Sequence, residues 1–219
     1  MNLEQWTPDL VRELLTVVYG GTRGEDGRWH PDIAQVARRR RVAPSTVRRW
    51  ISGTQLVMPP ARLEPILRRR RPLRRVLHQE DLQHRRNLKM LDRAALGRGR
   101  GNLQEYAGRG WLDQHLVLVL EDPERPLRRI AIVRDQRRAR QDAARGSRVV
   151  DVTLADTKFA AEQVRHEILT AVEPWRVVVP PPGKRGPGTE RRGRGHTQTW
   201  LASAPMPPTP LQVRTQADS

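Results

Sequence analysis

The chemistry-bearing residues of this chain are mostly cations. Arginine runs stand at Arg38, Arg39, Arg40, Arg41 and at Arg68, Arg69, Arg70, Arg71. Between them Arg48 and Arg49 sit among the hydroxyls of Ser45, Thr46 and Ser52. A guanidinium is planar, permanently charged and able to grip two acceptors at once, which suits phosphates and the acceptor edges of bases. Constellations for bond-breaking are missing from the pattern. The six histidines (His30, His78, His84, His115, His166, His196) form no HxxxH or HExxH pair, and there is no cysteine to complete a metal set. Neither GxxxxGK[ST] nor GxSxG occurs. Asp113, Glu121, Asp122, Asp135, Asp151 and Asp156 offer carboxylates for Mg²⁺-dependent nuclease or integrase chemistry, but Asp151 followed by Asp156 is equally a strand-end and helix-cap pattern. The expectation is a protein that is not an enzyme, with no catalytic residue, no metal and no cofactor.

Charge distribution narrows the partner. The 219 residues carry a net charge of +17, and arginine outnumbers lysine 38 to 3. That ratio fits a GC-rich genome, yet codon usage would spread arginine evenly. Instead residues 28–100 hold 20 basic and 5 acidic groups, whereas residues 101–179 hold 13 and 12. A positive field concentrated in one segment points to a polyanion. The longest aliphatic run, Leu116–Leu120, is far short of the ~20 residues that span a membrane. No basic-then-apolar leader is seen at the start. The expected location is the bacterial cytoplasm, in association with the nucleoid and without membrane contact.

The elements that must position these residues follow from periodicity. Pro8–Tyr19 reads as a helix capped by Thr7, with Leu10, Leu14 and Val17 or Val18 at helical spacing. Gly20-Gly21 stops it, and Thr22–Trp29 is a polar loop or a tight β wing built on Asp26-Gly27. Asp32–Arg40 and Pro44–Ile51 are short tandem helices broken at Val42-Ala43, the second followed by Gly53. Pro60–Arg71 and Leu73–Leu96 are two more, with Pro65 restarting or bending the first and Leu77, Leu88, Leu91 and Ala95 on one side of the second. Then the period changes. Leu116–Leu120, Ile130–Val133 and Val149–Leu154 are strand-like, Gln136–Ala144 is a polar, helical connection, Asp156 caps a helix to about Val172, and Trp175–Val179 is a fourth strand.

The stretch from Ile33 to Gly53 resembles the helix-turn-helix DNA-binding motif. Two crossed helices need a small residue where they touch, here Ala37, and apolar residues locking the corner, here Val36, Val42, Val47 and Trp50. The resemblance implies a recognition helix over about 44–52 in the major groove of double-stranded DNA. It assigns base readout to Ser45, Thr46, Arg48, Arg49 and Ser52, and phosphate contacts to Arg38–Arg41 and Arg68–Arg71. Two positions depart from the pattern. The motif often has glycine where Arg41 stands, because that residue can need a positive φ, and an apolar residue where Arg40 stands. Either the turn is remodelled or an arginine stem runs past the core.

The resulting expectation is an α+β chain. Residues 1–96 form an all-helical helix-turn-helix domain and 97–110 a basic, Gly-rich linker. Residues 111–179 form a small α+β domain of order β-β-(α)-β-α-β for dimerisation or partner binding, and 180–219 a disordered Pro/Gly/Arg-rich tail that could dock a protein partner. The implied function is that of a transcriptional regulator of repressor type from a phage, plasmid or other mobile element, acting as a homodimer or higher oligomer. The alternative is a replication or packaging component, since the layout also looks like telomere terminal proteins and small terminase subunits. A terminal protein would need a hydroxyl to link to DNA, for which Tyr106 or Thr153 could serve. Trp111, Trp175 and Trp200 are core or partner anchors.

Overall fold

Helix α1 (Pro8–Tyr19) starts where the residue order dictates: Thr7 Oγ1 accepts the Leu10 N–H at 3.3 Å, and Pro8 fills a first-turn position that needs no donor. Its Leu10, Val11, Leu14 and Leu15 are buried. The computed structural model describes residues 6–53, 58–70, 72, 74–95, 100–134, 146–178 and 198–206. After α1 the chain makes a hairpin, β1 (Gly21–Arg23) against β2 (Trp29–Pro31), with Thr22 opposite His30. A Cβ at Gly21 would lie 2.2 Å from the His30 carbonyl oxygen, so only glycine lets the strands close there. The hairpin is the β-wing alternative at Asp26-Gly27, and it corrects the all-helical expectation for this part of the chain. Three helices follow: α2 (Ile33–Arg40), α3 (Pro44–Ser52) and α4 (Pro60–Arg70). Helix α4 continues through Pro65 and buries Leu63, Ile66 and Leu67.

The chain divides into two compact units. The first holds residues up to Arg71 with 122–128 and 174–205; the second holds 72–121, 129–173 and the remainder. This differs from the expected boundary at 97–110, for two physical reasons. Helix α5 (Arg74–Ala95) packs along α7 (Lys158–Ala171), deep in the second half of the sequence. The expected linker holds helix α6 (Arg100–Gly108), whose Tyr106 stacks on Trp111 at 5.4 Å and meets Phe159 edge-on at 5.4 Å. Residues 97–99 of the GRGRG stretch lie outside the described residues, as does Leu96.

In the second unit β3 (His115–Glu121) pairs antiparallel with β5 (Arg148–Ala155); β4 is Leu127–Val133, of which residues 129–133 belong to this unit. The ladder is irregular at Val119/Leu120, which face Asp151 and Val149, so Val150 is the extra residue of a bulge. Helix α7 packs on β3 and β5 and is capped by Thr157, one residue after the expected Asp156. Of the residues expected on one side of α5, the side chains of Leu91 and Ala95 lie outside the described residues. Leu88 is exposed and Leu77 half-buried, whereas Asn87 is buried and His84 stacks flat on His166 with centroids 3.8 Å apart. Burial and the neighbouring His84 hold the His166 pKa below the ordinary imidazole value. The polar connection expected at Gln136–Ala144 lies outside the described residues.

The strand order of the larger sheet is β5-β3-β4-β6. Its last member is β6 (Thr199–Leu201), not the expected Trp175–Val179. Glu173–Trp175 forms a tight 3₁₀ turn around Pro174, after which Arg176 makes an isolated bridge to Trp200 and the Val177 N–H donates to the Thr199 carbonyl at 3.0 Å; Val179 lies outside the described residues. The expected disordered tail is corrected over 198–206, where Trp200, Leu201, Ala202 and Ala204 are buried. Together the two units make a mixed α+β protein with antiparallel sheets. No helix among the described residues is long and apolar enough to cross a membrane.

One acid fastens this late segment to α1. Glu13 is buried, and its carboxylate accepts the Ser203 N–H at 2.9 Å and the Ser203 hydroxyl at 2.7 Å. Burial outweighs those bonds and pushes its pKa up from the ordinary carboxylate value. The folded state therefore holds this proton more tightly than the unfolded chain. The contribution is fully present below the unfolded value of 4.5 and declines as pH rises through the higher folded value. Urea unfolding of wild type and Glu13→Gln across pH 4 to 7 will show the variant gaining on wild type as pH rises; parallel pH profiles would refute this titration.

Candidate nucleic-acid interface

The region begins with the corner between α2 and α3. Asp32 caps α2 by accepting the Gln35 N–H at 2.9 Å. At the other end Arg41 takes the left-handed conformation, φ 53° and ψ 54°, and its N–H donates to the Ala37 carbonyl. Val42 N–H reaches the same carbonyl at 3.1 Å. Arg41 is the one residue other than glycine with positive φ among the described residues. The position thus adopts the backbone that glycine favours. A non-glycine residue there costs about 1–2 kcal/mol of steric strain. Val36, Ala37, Val47 and Trp50 are buried, while Val42 is half-buried. Ala37 is small and buried on α2, which packs on α3.

Helix α3 then shows two faces. Val47 and Trp50 point inward. Ser45, Arg48, Arg49 and Ser52 stand at i, i+3, i+4 and i+7, which is one stripe of a helix, and all four are exposed. Thr46 is half-buried. No carboxylate pairs with Arg48 or Arg49 among the described residues. Ala43, at the N-cap, has no side-chain oxygen for the first amides of α3, and Pro44 has no amide to offer. The far end is held from α1: Arg12 Nη2 donates to the Ile51 carbonyl at 2.6 Å, while Nη1 pairs with Asp9. A cation on the last carbonyls suits the negative end of a helix. Arg12 carries no sequence signal for this role; it is one polar residue on an amphipathic helix.

The arginine runs divide by role. Arg38, Arg39, Arg41 and Arg69 are exposed and have no carboxylate partner among the described residues. Arg68 pairs with Glu64 at 3.2 Å on the surface, a contact that solvent and salt weaken. Arg40 is half-buried; its Nη2 donates to the Arg62 carbonyl at 2.7 Å, and Arg62 Nη1 returns to the Arg40 carbonyl at 3.5 Å. The Arg40 guanidinium thus ties α2 to α4, leaving it less free than its neighbours for an outside phosphate. Arg70 is half-buried, and Arg71 lies outside the described residues.

The hairpin adds exposed Arg23 and Arg28 beside Glu25 and Asp26. Its tip is locked by Asp26, which accepts the Arg28 N–H and pairs with His30 Nε2, both at 3.0 Å. The His30 hydrogen bond holds the Asp26 carboxyl below its ordinary pKa.

The carboxylates weighed for metal chemistry are dispersed into structural contacts. Asp113 pairs with Arg134, Glu121 with Arg148 at 2.9 Å, and Asp122 Oδ1 accepts the Glu124 N–H at 2.9 Å. Asp151 Oδ1 accepts the Val152 N–H at 2.9 Å, and Asp135 lies outside the described residues. Among the described residues no three histidines or carboxylates converge to hold a metal ion. Of the hydroxyls considered for DNA linkage, Thr153 is buried and Tyr106 belongs to the aromatic cluster. No family model, no curated protein and no solved structure matches this chain.

The corner makes a stability prediction of opposite signs. Arg41→Gly removes the left-handed strain and is expected to stabilise the fold by up to about 1 kcal/mol, offset in part by a freer unfolded chain. Ala37→Leu overfills the helix contact and is expected to destabilise it by about 1–3 kcal/mol. Thermal and urea melts of the two variants check both signs.

Proposed function

We propose that the chain binds double-stranded DNA sequence-specifically by laying α3 in the major groove, as a transcriptional regulator of repressor type. The observation that carries the reading is the exposed stripe Ser45, Arg48, Arg49, Ser52, unpaired by acids at its two arginines and mounted on a helix fixed from behind and at its end. Nine residues of helix are about 13 Å long, which suits a groove about 12 Å wide. On this reading Arg48 and Arg49 make bidentate bonds to guanine O6 and N7. Ser45 and Thr46, beside the uncapped helix start, favour a phosphate. Arg38, Arg39, Arg41, Arg68 and Arg69 supply the sequence-independent attraction. Such a protein works in the cytoplasm on the nucleoid.

A duplex selected from a random pool separates these roles in fluorescence anisotropy. Arg48→Ala and Arg49→Ala each lose about 5- to 150-fold in affinity for the selected duplex and far less for a scrambled one. Replacing Arg38 and Arg68 with Gln weakens both duplexes alike and reduces the slope of log K against log salt by about 0.9 for each phosphate no longer neutralised. Equal effects of the two sets on both duplexes would contradict the assignment of α3.

A single short helix reads few base pairs, so the proposal includes a second copy of the chain. Strand β5 ends the sheet order and exposes Val152 at 47 % and Leu154 at 50 %. An apolar edge strand is a template for pairing, and antiparallel self-pairing closes with two-fold symmetry. Charge favours a copy at this place: residues 101–179 are nearly neutral, whereas two copies of residues 28–100 repel. Sedimentation velocity will find a dimer that Val152→Lys combined with Leu154→Lys converts to monomer. A dimer unaffected by the two lysines would remove β5 from the interface.

A further inference from the structure

The arginine runs of α2 and α4 are remote in sequence yet meet in one place. Arg39, Arg40, Arg69 and Arg70 line a single cavity of about 370 Å³ within the first unit. Gln35 adds an amide, while Val18, Tyr19, Pro65 and Ile66 supply apolar and aromatic wall. No acid is among the lining residues. Four like charges around one hollow repel one another, and their field is focused where water is partly excluded. Arg40 sharpens the point. Its Nη2 is fixed on the Arg62 carbonyl at 2.7 Å, and its Nε is buried with no hydrogen-bond partner. A buried donor left without an acceptor is a standing cost that an anion can relieve.

We propose that this cavity is a binding site for a ligand carrying two or more linked phosphates. The fork geometry of guanidinium matches phosphate oxygens in pairs. The volume lies toward the lower end of ordinary small-molecule sites, about 300–1,000 Å³, and exceeds the need of one phosphate. The Tyr19 ring and the Pro65 and Val18 side chains give a base or sugar something to lie against, so a nucleoside polyphosphate satisfies the whole lining. The same phosphate chemistry is offered by consecutive phosphates of a DNA strand. The proposal does not depend on α3 reading a duplex, because Arg69, Arg70 and Tyr19 lie on other helices.

Isothermal titration of the full chain with inorganic tripolyphosphate, GTP and guanosine, without Mg²⁺ at physiological salt, tests it. Tripolyphosphate and GTP are expected to bind one per chain with a Kd of roughly 100 µM or below, and guanosine at least about 10-fold more weakly. Arg39 and Arg69 are exposed and their removal relieves repulsion, so Arg39→Gln and Arg69→Gln do not lower the melting temperature. Each is expected to weaken tripolyphosphate about 10-fold. Arg85→Gln, on α5, leaves the Kd unchanged. Adding GTP to a preformed duplex complex identifies the natural source: displacement assigns the cavity to strand phosphates, retention to a free nucleotide, and both sustain the site. Absence of saturable tripolyphosphate binding, or equal affinity in the Arg39→Gln/Arg69→Gln double variant, overturns it. If duplex binding fails while tripolyphosphate binds, the cavity stands and the DNA reading falls.

Discussion

The arrangement of the first unit rests on one steric constraint. Two helices joined by a three-residue turn must approach closely, and the chain must reverse without a fourth residue. Ala37 meets the first demand and Arg41 the second. Its left-handed backbone lets the Arg41 and Val42 amides share the Ala37 carbonyl, so the end of α2 is closed before α3 begins. With the corner set, the periodicity of α3 does the rest. Once Val47 and Trp50 are committed inward, Ser45, Arg48, Arg49 and Ser52 must face out.

An arginine in the left-handed region and four unneutralised guanidiniums around a cavity are both unfavourable in the isolated protein. Stability alone would favour glycine at 41 and a carboxylate somewhere beside Arg39 and Arg69. Acids are nevertheless available: residues 101–179 carry 12 of them, among which Asp113, Glu121 and Glu162 pair with Arg134, Arg148 and Arg165. Their near-exclusion from residues 28–100 is what a polyanion partner would require. Arg40 shows how the two demands coexist, since one nitrogen serves the fold while another is left buried and unmet.

Legibility in the sequence followed the range of the interaction. Helices α1, α2 and α3 were readable to within a residue because caps, prolines and glycines act locally: Thr7, Asp32, Pro44 and Gly53 each mark an end. Strands β3, β4 and β5 were readable from their aliphatic runs. The exposed face of α3 was readable because helical spacing fixes it. What escaped was set by partners far along the chain. Nothing near Arg12 announces the Ile51 carbonyl, and nothing near Arg40 announces Arg62. The GRGRG stretch suggests a linker, but Tyr106 gains its ordering from Trp111 and Phe159. Helix α5 misled at Leu88 for a related reason: its leucines follow a helical period, yet Leu88 is exposed while Asn87 is buried and His84 stacks on His166 of α7.

The late segment 198–206 is the sharpest case. Flanked by proline, glycine and arginine, its composition argues for disorder, and composition is the right guide when a stretch has nothing to bury. Here Trp200 and Leu201 are fully buried, Thr199 Oγ1 donates to the Val177 carbonyl at 2.5 Å, and Ser203 satisfies both oxygens of Glu13. A buried carboxylate without those two donors would be a large liability on the apolar side of α1. The segment and the acid therefore require each other: Glu13 is tolerable because Ser203 donates to both of its oxygens, and Ser203 is held there by the same two bonds. Such a pair, 190 residues apart in the chain, leaves no periodic trace in either stretch, which is why an apolar helix with one misplaced glutamate is worth searching for a distant hydroxyl.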